Sequence, residues 1–288
     1  MALPPGFKLL PIAPPVSTLT GLALRPSDIF VCSWPKSGTT WMQAIVAHLL
    51  CDEAKWGHVS QVTPFFDVNA SWADETPAPG LHAAAGRRAW NTHLLWSLMP
   101  KDSSGARYIY VVRNGDDAVV SFYHHWHLNA RRQFSTQRTL TATMDDFVRS
   151  TVDESGDGPY GSRAKHLADW AAAFGDERVL FVRYEVMQRD LVAVVRAVAA
   201  HLRIEGADVD AVAAKCTFQA MKSDQKRYAP VSVQPTPGFS FLRGGRVGDG
   251  STLGGVVRQL LRDDAESKLG GLPQAQKAFF KDVDAAAS

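Results

Sequence analysis

Three stretches of the chain are apolar almost without interruption and rich in β-branched or aromatic residues. They are Asp28-Ile29-Phe30-Val31-Cys32-Ser33, Arg107-Tyr108-Ile109-Tyr110-Val111-Val112-Arg113 and Arg178-Val179-Leu180-Phe181-Val182-Arg183-Tyr184. Short runs of this kind predict strands buried on both faces. Between them the apolar positions change period. From Thr39 to Leu50 they recur at Trp41, Ile45 and His48/Leu49, the spacing of a helix that buries one face. Further helices are expected over about 117–128, 145–151, 163–174 and 190–202. Strands alternating with helices predict βαβ units with right-handed crossovers. The expected fold is therefore α/β and three-layered, a central parallel sheet flanked by helices.

The rest of the chain lacks either period. Residues 1–26 are proline-rich and read as an extended N-terminal arm. Residues 57–90 contain Pro64, Pro77, Pro79, Gly80 and Gly86, yet also Phe65, Phe66, Trp72 and Trp90. Residues 228–255 return to a Pro- and Gly-rich composition. Long irregular stretches inside a compact domain tend to be binding loops, so both are expected to face substrate or cofactor. The aromatic residues, with Trp96 nearby, are either plain core or the lining of an acceptor pocket. No repeat or low-complexity tract is visible, and residues 1–288 read as one domain.

Composition narrows the class. With 288 residues, 45% of them hydrophobic and 21% charged, the chain reads as an ordinary globular protein, not a disordered or coiled-coil one. Thirty-one Lys+Arg against 29 Asp+Glu leave +2, too little for bulk nucleic-acid binding but compatible with a local anion site. Cys32, Cys51 and Cys216 form no disulfide framework and no metal pair, which fits a reducing compartment. The opening Met1-Ala2-Leu3-Pro4-Pro5-Gly6 is a poor signal peptide, and nothing approaches a membrane span. A cytoplasmic protein is expected.

Two constellations carry candidate chemistry. Pro35-Lys36-Ser37-Gly38-Thr39-Thr40-Trp41 leaves a buried strand and enters a helix. Free N–H groups and the helix dipole favour an anion there. Gly38 allows close backbone approach, Ser37, Thr39 and Thr40 add hydroxyls, and Lys36 adds a charge. The logic is that of a P-loop without its spelling, because Lys36 precedes the glycine. The bland alternative is a Ser/Thr-rich N-cap beside one solvated lysine. Arg113 ends the second strand and Ser121 follows two turns into the next helix. Parallel strands share one carboxyl edge, so Arg113 lies on the edge of Lys36, where an arginine suits phosphate. Alone, it could equally be a surface arginine paired with Asp116 or Asp117. The adjacent His124, His125 and His127 have no carboxylate or cysteine at ligand spacing, so no metal is expected.

Together these stretches resemble the cytosolic sulfotransferase family. Trp34-Pro35-Lys36-Ser37-Gly38-Thr39-Thr40-Trp41 is similar to its 5′-phosphosulfate loop, with Trp34 where Tyr is usual. Val111-Val112-Arg113-Asn114-Gly115-Asp116-Asp117-Ala118-Val119-Val120-Ser121-Phe122-Tyr123 resembles its 3′-phosphate segment. Weaker matches follow in order: Pro64-Phe65-Phe66, Thr92-His93-Leu94, Tyr184-Glu185, Thr217-Phe218-Gln219-Ala220-Met221 and Phe241-Leu242-Arg243.

The resemblance implies 3′-phosphoadenosine 5′-phosphosulfate (PAPS) as donor, a small hydroxyl compound as acceptor, and no metal. It assigns Lys36, Ser37, Gly38, Thr39 and Thr40 to the 5′ end and Trp41 to the adenine. Arg113 and Ser121 fall to the 3′-phosphate, and Tyr184, Thr217, Phe218 and Met221 to the adenosine. Arg243 and Gly245 would close over the 3′-phosphate. His93 becomes the general base, Lys36 the stabiliser of the leaving phosphate, and Phe65 an acceptor contact. Three departures stand out. Asn91 replaces a usual Lys, Gly244 replaces another that Arg246 could restore, and Gly250 replaces Trp. The family's dimer motif is not legible in 251–266, which leaves a homodimer open. Competing readings are an ATP-dependent small-molecule kinase and a PAPS-binding protein whose catalysis has lapsed.

Overall fold

In a computed structural model of the chain, the structure describes residues 3–4, 9, 16–67, 86–102, 105–133, 143–152, 160–229, 240–245 and 247–285. The sheet has four parallel strands in the order β2-β1-β3-β4. They are β1 (Ile29–Ser33), β2 (Ala89–Thr92), β3 (Arg107–Val112) and β4 (Val179–Arg183). The three apolar runs became β1, β3 and β4. β2 lies partly inside the stretch read as irregular, and a bridge between Phe65 and Asn91 extends it outward.

Side chains alternate across β1, as strand geometry requires. Ile29 and Val31 enter a core with Ile109 and Val111 of β3, α2 (Thr39–Leu50), α7 (Leu191–His201) and α8 (Val209–Lys215). Phe30 and Cys32 face the other way, with Tyr108, Tyr110, α5 (Arg163–Ala171) and α11 (Gln274–Ala285). Phe30 is fully buried and stacks on Trp90 and Tyr108 at ring-centroid distances of 5.0 and 5.4 Å. Truncating such a ring to Ala costs about 3–5 kcal/mol. A third cluster joins α3 (Gly115–Gln133), α4 (Met144–Val152) and α10 (Gly255–Leu269) through Trp34, Phe122, Phe147 and Val257. Within 1–26, residues 16–20 form one helical turn, α1, that buries Leu19.

β1 leads to β2 on one side, and β3 then returns to β1's other side. The order therefore reverses between β1 and β3. In an open α/β sheet that reversal opens a crevice at the strands' carboxyl ends. Among the described residues, no helix is long and apolar enough to cross a membrane.

Candidate active site

Each strand delivers one residue to this edge: Lys36 follows β1, His93 β2, Arg113 β3, and Tyr184, the first residue of α6 (Tyr184–Arg189), β4. The turn after β1 is unusually curled. Lys36 sits at φ 62° and Gly38 at φ 112°, both left-handed. For lysine that conformation is uncommon and costs about 1 kcal/mol or more. Gly38 is needed because a Cβ there would lie 2.9 Å from the Tyr184 ring and 3.3 Å from Val111. It is the N-cap of α2 and, as a glycine, supplies no capping side chain, a start that leaves the first N–H groups of a helix for an outside acceptor. Ser37 and Thr39 are buried, and Thr39 bonds the Ser33 hydroxyl at 2.6 Å.

Three cations surround this turn. Arg113 donates from Nη1 to the Lys36 carbonyl at 3.1 Å and lies over the Tyr184 ring at 4.4 Å. Lys36 Nζ sits 4.1 Å from the centroid of Phe241. Arg243 pairs with Asp249 through Nη2. Burial lowers the Lys36 pKa to about 7, helped by the charges of Arg113 and Arg243. A buried lysine whose ammonium is disfavoured by burial and by two neighbouring guanidinium groups marks a place that a polyanion would stabilise.

The adenosine candidates also converge. Trp41 meets Tyr184 edge-on at 5.4 Å and donates from Nε1 to the Cys216 carbonyl at 2.7 Å. Met221 is buried beside them. Thr217 caps α9 (Phe218–Ser223) by accepting from the Ala220 N–H at 3.2 Å. Gly245 lies against Phe218, where a Cβ would come within 2.3 Å of the ring at φ 58°. Gln188, without any sequence signal, donates to the Gly245 carbonyl at 2.7 Å and to the Tyr184 hydroxyl at 3.1 Å. Asp117, read from the sequence as a possible partner of Arg113, has another task. Its buried carboxylate accepts from the Gly248 and Gly250 N–H groups at 2.9 and 2.7 Å, which anchors the turn after Arg243 to α3. Thr40 is half-buried on α2, and Ser121 half-buried on α3.

His93 stands across from the cations. Its Nδ1–H donates to the Ser33 carbonyl at 2.8 Å, so Nε2 carries the lone pair. Burial pushes its pKa down to about 4; the Ser33 bond opposes this, while His166 and Lys36 add to it. The ring is therefore neutral at pH 7. Phe65 and Tyr160 meet it edge-on at 5.6 and 5.1 Å. His125 faces the same space: its ring centroid is 6.0 Å from Phe241, and Lys36 and His93 lie near enough to help burial lower its pKa.

The other loop aromatics are not gathered here. Phe66 and Trp90 are core, and Trp96 packs on Tyr108 and Trp170. Trp72, Arg246 and the His127 side chain lie outside the described residues. Asn91 donates from Nδ2 to the Thr63 carbonyl at 2.8 Å. This bond and the Phe65–Asn91 bridge tie the Phe65 segment to β2. No cluster of three His, Cys, Asp or Glu suited to a metal occurs among the described residues.

A parallel sheet with a cationic, phosphate-type loop at its switch point and a neutral histidine beside it defines a group-transfer site. The family model described as a sulfotransferase domain matches residues 26–250, and the chain belongs to that family. Rabbit (Oryctolagus cuniculus) amine sulfotransferase is 29% identical over 248 residues, 80% of this chain and 76% of that protein. Human sulfotransferase 2B1 is 33% identical over 236 residues, 78% of this chain and 61% of the human protein. Among solved structures, mouse sulfotransferase SULT7A1 complexed with PAP has a TM-score of 0.72 at 24% identity and covers 93% of both chains. Retinol dehydratase with androsterone and PAP has a TM-score of 0.71 at 20% identity, covering 89% of this chain and 84% of that one. The chain is a sulfotransferase, and the kinase reading falls away.

Proposed function

We propose that the protein transfers a sulfuryl group from PAPS to the hydroxyl of a small apolar or aromatic compound. The observation that carries this reading is the meeting of Lys36, Arg113 and Arg243 at one turn, beside a histidine whose Nδ1 is bonded to Ser33 and whose Nε2 has no hydrogen-bond partner among the described residues. The residues fit a doubly phosphorylated adenine nucleotide. Gly38 and Gly245 let the backbone run against the Tyr184 and Phe218 rings, where a Cβ would clash, and Trp41, Tyr184 and Phe218 offer rings beside the cations. The 36–40 turn takes the 5′ end, with Lys36, Ser37, Gly38, Thr39 and Thr40 as donors. Trp41, Tyr184, Thr217, Phe218 and Met221 surround the adenosine. Arg113 and Ser121 hold the 3′-phosphate, and Arg243 and Gly245 close over it.

The nucleotide supplies an activated sulfuryl group when bound. His93 Nε2 accepts the proton from the acceptor hydroxyl as the new O–S bond forms. Its neutral state at pH 7 suits that task, and a base so placed contributes about 10²–10⁴-fold. Lys36 stabilises the negative charge left on the departing phosphate, an electrostatic effect strengthened by the site's enclosure. Phe65 and Tyr160 form apolar walls beside His93, which favours a phenol or apolar alcohol over a polyanionic chain. The three free cysteines support a reducing, cytoplasmic setting.

The test combines calorimetric titration with 3′,5′-adenosine bisphosphate and an acceptor screen using labelled donor. Lys36→Ala is expected to lose binding and turnover together. His93→Ala is expected to keep binding and lose turnover at least about a hundredfold. Intact transfer in His93→Ala would overturn the assignment of the base. Binding without transfer to any acceptor would instead establish a lapsed enzyme.

A further inference from the structure

His93 follows the last residue of β2, and no described strand pairs with its backbone. Two side chains take that place. The His93 N–H donates to Asp67 Oδ2 at 3.0 Å, and the His93 carbonyl accepts from His166 Nε2–H at 2.9 Å. Both partners are fully buried. They arrive from different parts of the chain: Asp67 from just beyond the Phe65 bridge, His166 from α5.

Neither is an economical way to satisfy one amide and one carbonyl. Burying ionisable groups is costly, and a neutral side chain or a water could serve. Each is itself held by further bonds. Asp67 accepts from the Thr92 hydroxyl, whose oxygen accepts from the Leu94 N–H at 3.1 Å. His166 Nδ1 accepts from the Tyr110 hydroxyl at 2.7 Å, which fixes its proton on Nε2. Burial raises the Asp67 pKa to about 7, against hydrogen bonds from Thr92, His93 and Tyr160, and burial lowers that of His166 to about 4. Tyr160 completes the enclosure, with its ring edge-on to His93 and its hydroxyl coupled to Asp67.

We propose that Asp67 and His166 are positioning residues for His93: a buried carboxylate and a buried imidazole grip both backbone polar atoms of one residue and so fix the direction of its Nε2. With Nδ1 held by Ser33, three bonds leave the ring a single orientation. The inference rests on His93 acting as the base. Displacing a reacting group by about 1 Å can cost a hundredfold in rate, so the clamp is expected to act on turnover more than on binding.

The experiment measures kcat, acceptor KM and affinity for 3′,5′-adenosine bisphosphate in Asp67→Ala, Asp67→Asn, His166→Phe and His166→Gln, with thermal melts as a control for folding. Asp67→Ala and His166→Phe are expected to lower kcat about 10–100-fold, with KM and nucleotide affinity changed less than about threefold. Asn keeps an acceptor for the His93 N–H, and Gln keeps a donor for its carbonyl. Both are expected to recover to within about fivefold of the parent enzyme. In a His93→Ala background, Asp67→Ala is expected to cause no further loss, since the group it positions is gone. Equal losses in both backgrounds, or no recovery in Asn and Gln variants that melt like the parent, would overturn the inference. Full turnover in His93→Ala alone would overturn the assignment of the base instead, which keeps the two failures distinct.

Discussion

Lys36 offers the sharpest test of the donor site. Its pKa is about 7 because of burial and of its neighbours Arg113 and Arg243. A polyanion bound among these groups should restore the ammonium, since opposite charge favours the protonated form. Binding and protonation are then linked. At pH 7 about half of the free protein carries the ammonium, and at pH 9 about 1%. The dissociation constant for 3′,5′-adenosine bisphosphate should therefore rise about fiftyfold over that range, or about 2.3 kcal/mol.

The ligand's own phosphates lose their second proton near pH 6, so they add little above pH 7.5. Calorimetry in two buffers of different ionisation enthalpy should detect uptake of about 0.9 proton per site at pH 8. Lys36→Arg, permanently charged, should flatten the profile. A constant affinity from pH 7 to 9 with no proton uptake would refute the reasoning. In the free protein the sign reverses. The unfolded chain holds the Lys36 proton up to its ordinary 10.5, so this group makes stability rise between pH 7 and 10.5.

Other perturbations follow from geometry. Gly38→Ala must adopt φ 112° and meet Tyr184 at 2.9 Å; a loss of about 1–3 kcal/mol in stability should accompany weaker nucleotide binding, visible in melts and titration. Asp117→Ala leaves two N–H groups of the 248–250 turn unpaired, so melting should show a loss of about 2–3 kcal/mol, with faster proteolysis at 243–250 and weaker nucleotide binding. Asn91→Ala removes only the tie to Thr63, so it should cost about 1 kcal/mol and raise acceptor KM while leaving donor affinity alone.

The strands legible in the sequence were the longer apolar runs, whether buried almost throughout, as β1 and β3 are, or half-buried at the sheet edge, as β4 is. Phe30, Val31 and Tyr110 need no information beyond their own apolar character. β2 escaped because it is a four-residue edge strand whose Asn91 and Thr92 spend their side chains on Thr63 and Asp67. In sequence those residues look like loop. The donor turn was legible because its chemistry is local, a lysine, hydroxyls and a glycine within a few positions. Asp67, Asp117, His166 and Gln188 were not, because each bonds a residue 26 to 133 positions away. The loop aromatics misled in part. Burial of Phe66 and Trp90 depends on which face of a segment turns inward, and an irregular segment has no period from which to read that. Phe65, one residue earlier, turns toward His93.

The Ser33 carbonyl that aims His93 is the last of β1, and Lys36 follows three residues later in the same chain direction. β2, which presents His93, is its immediate neighbour at about 4.8 Å. The separation between His93 and Lys36 is thus inherited from the spacing of paired strands rather than negotiated by the loops around them. Under the proposed chemistry, retooling the surfaces around Phe65 would admit a different guest without relocating the point where its oxygen meets sulfur.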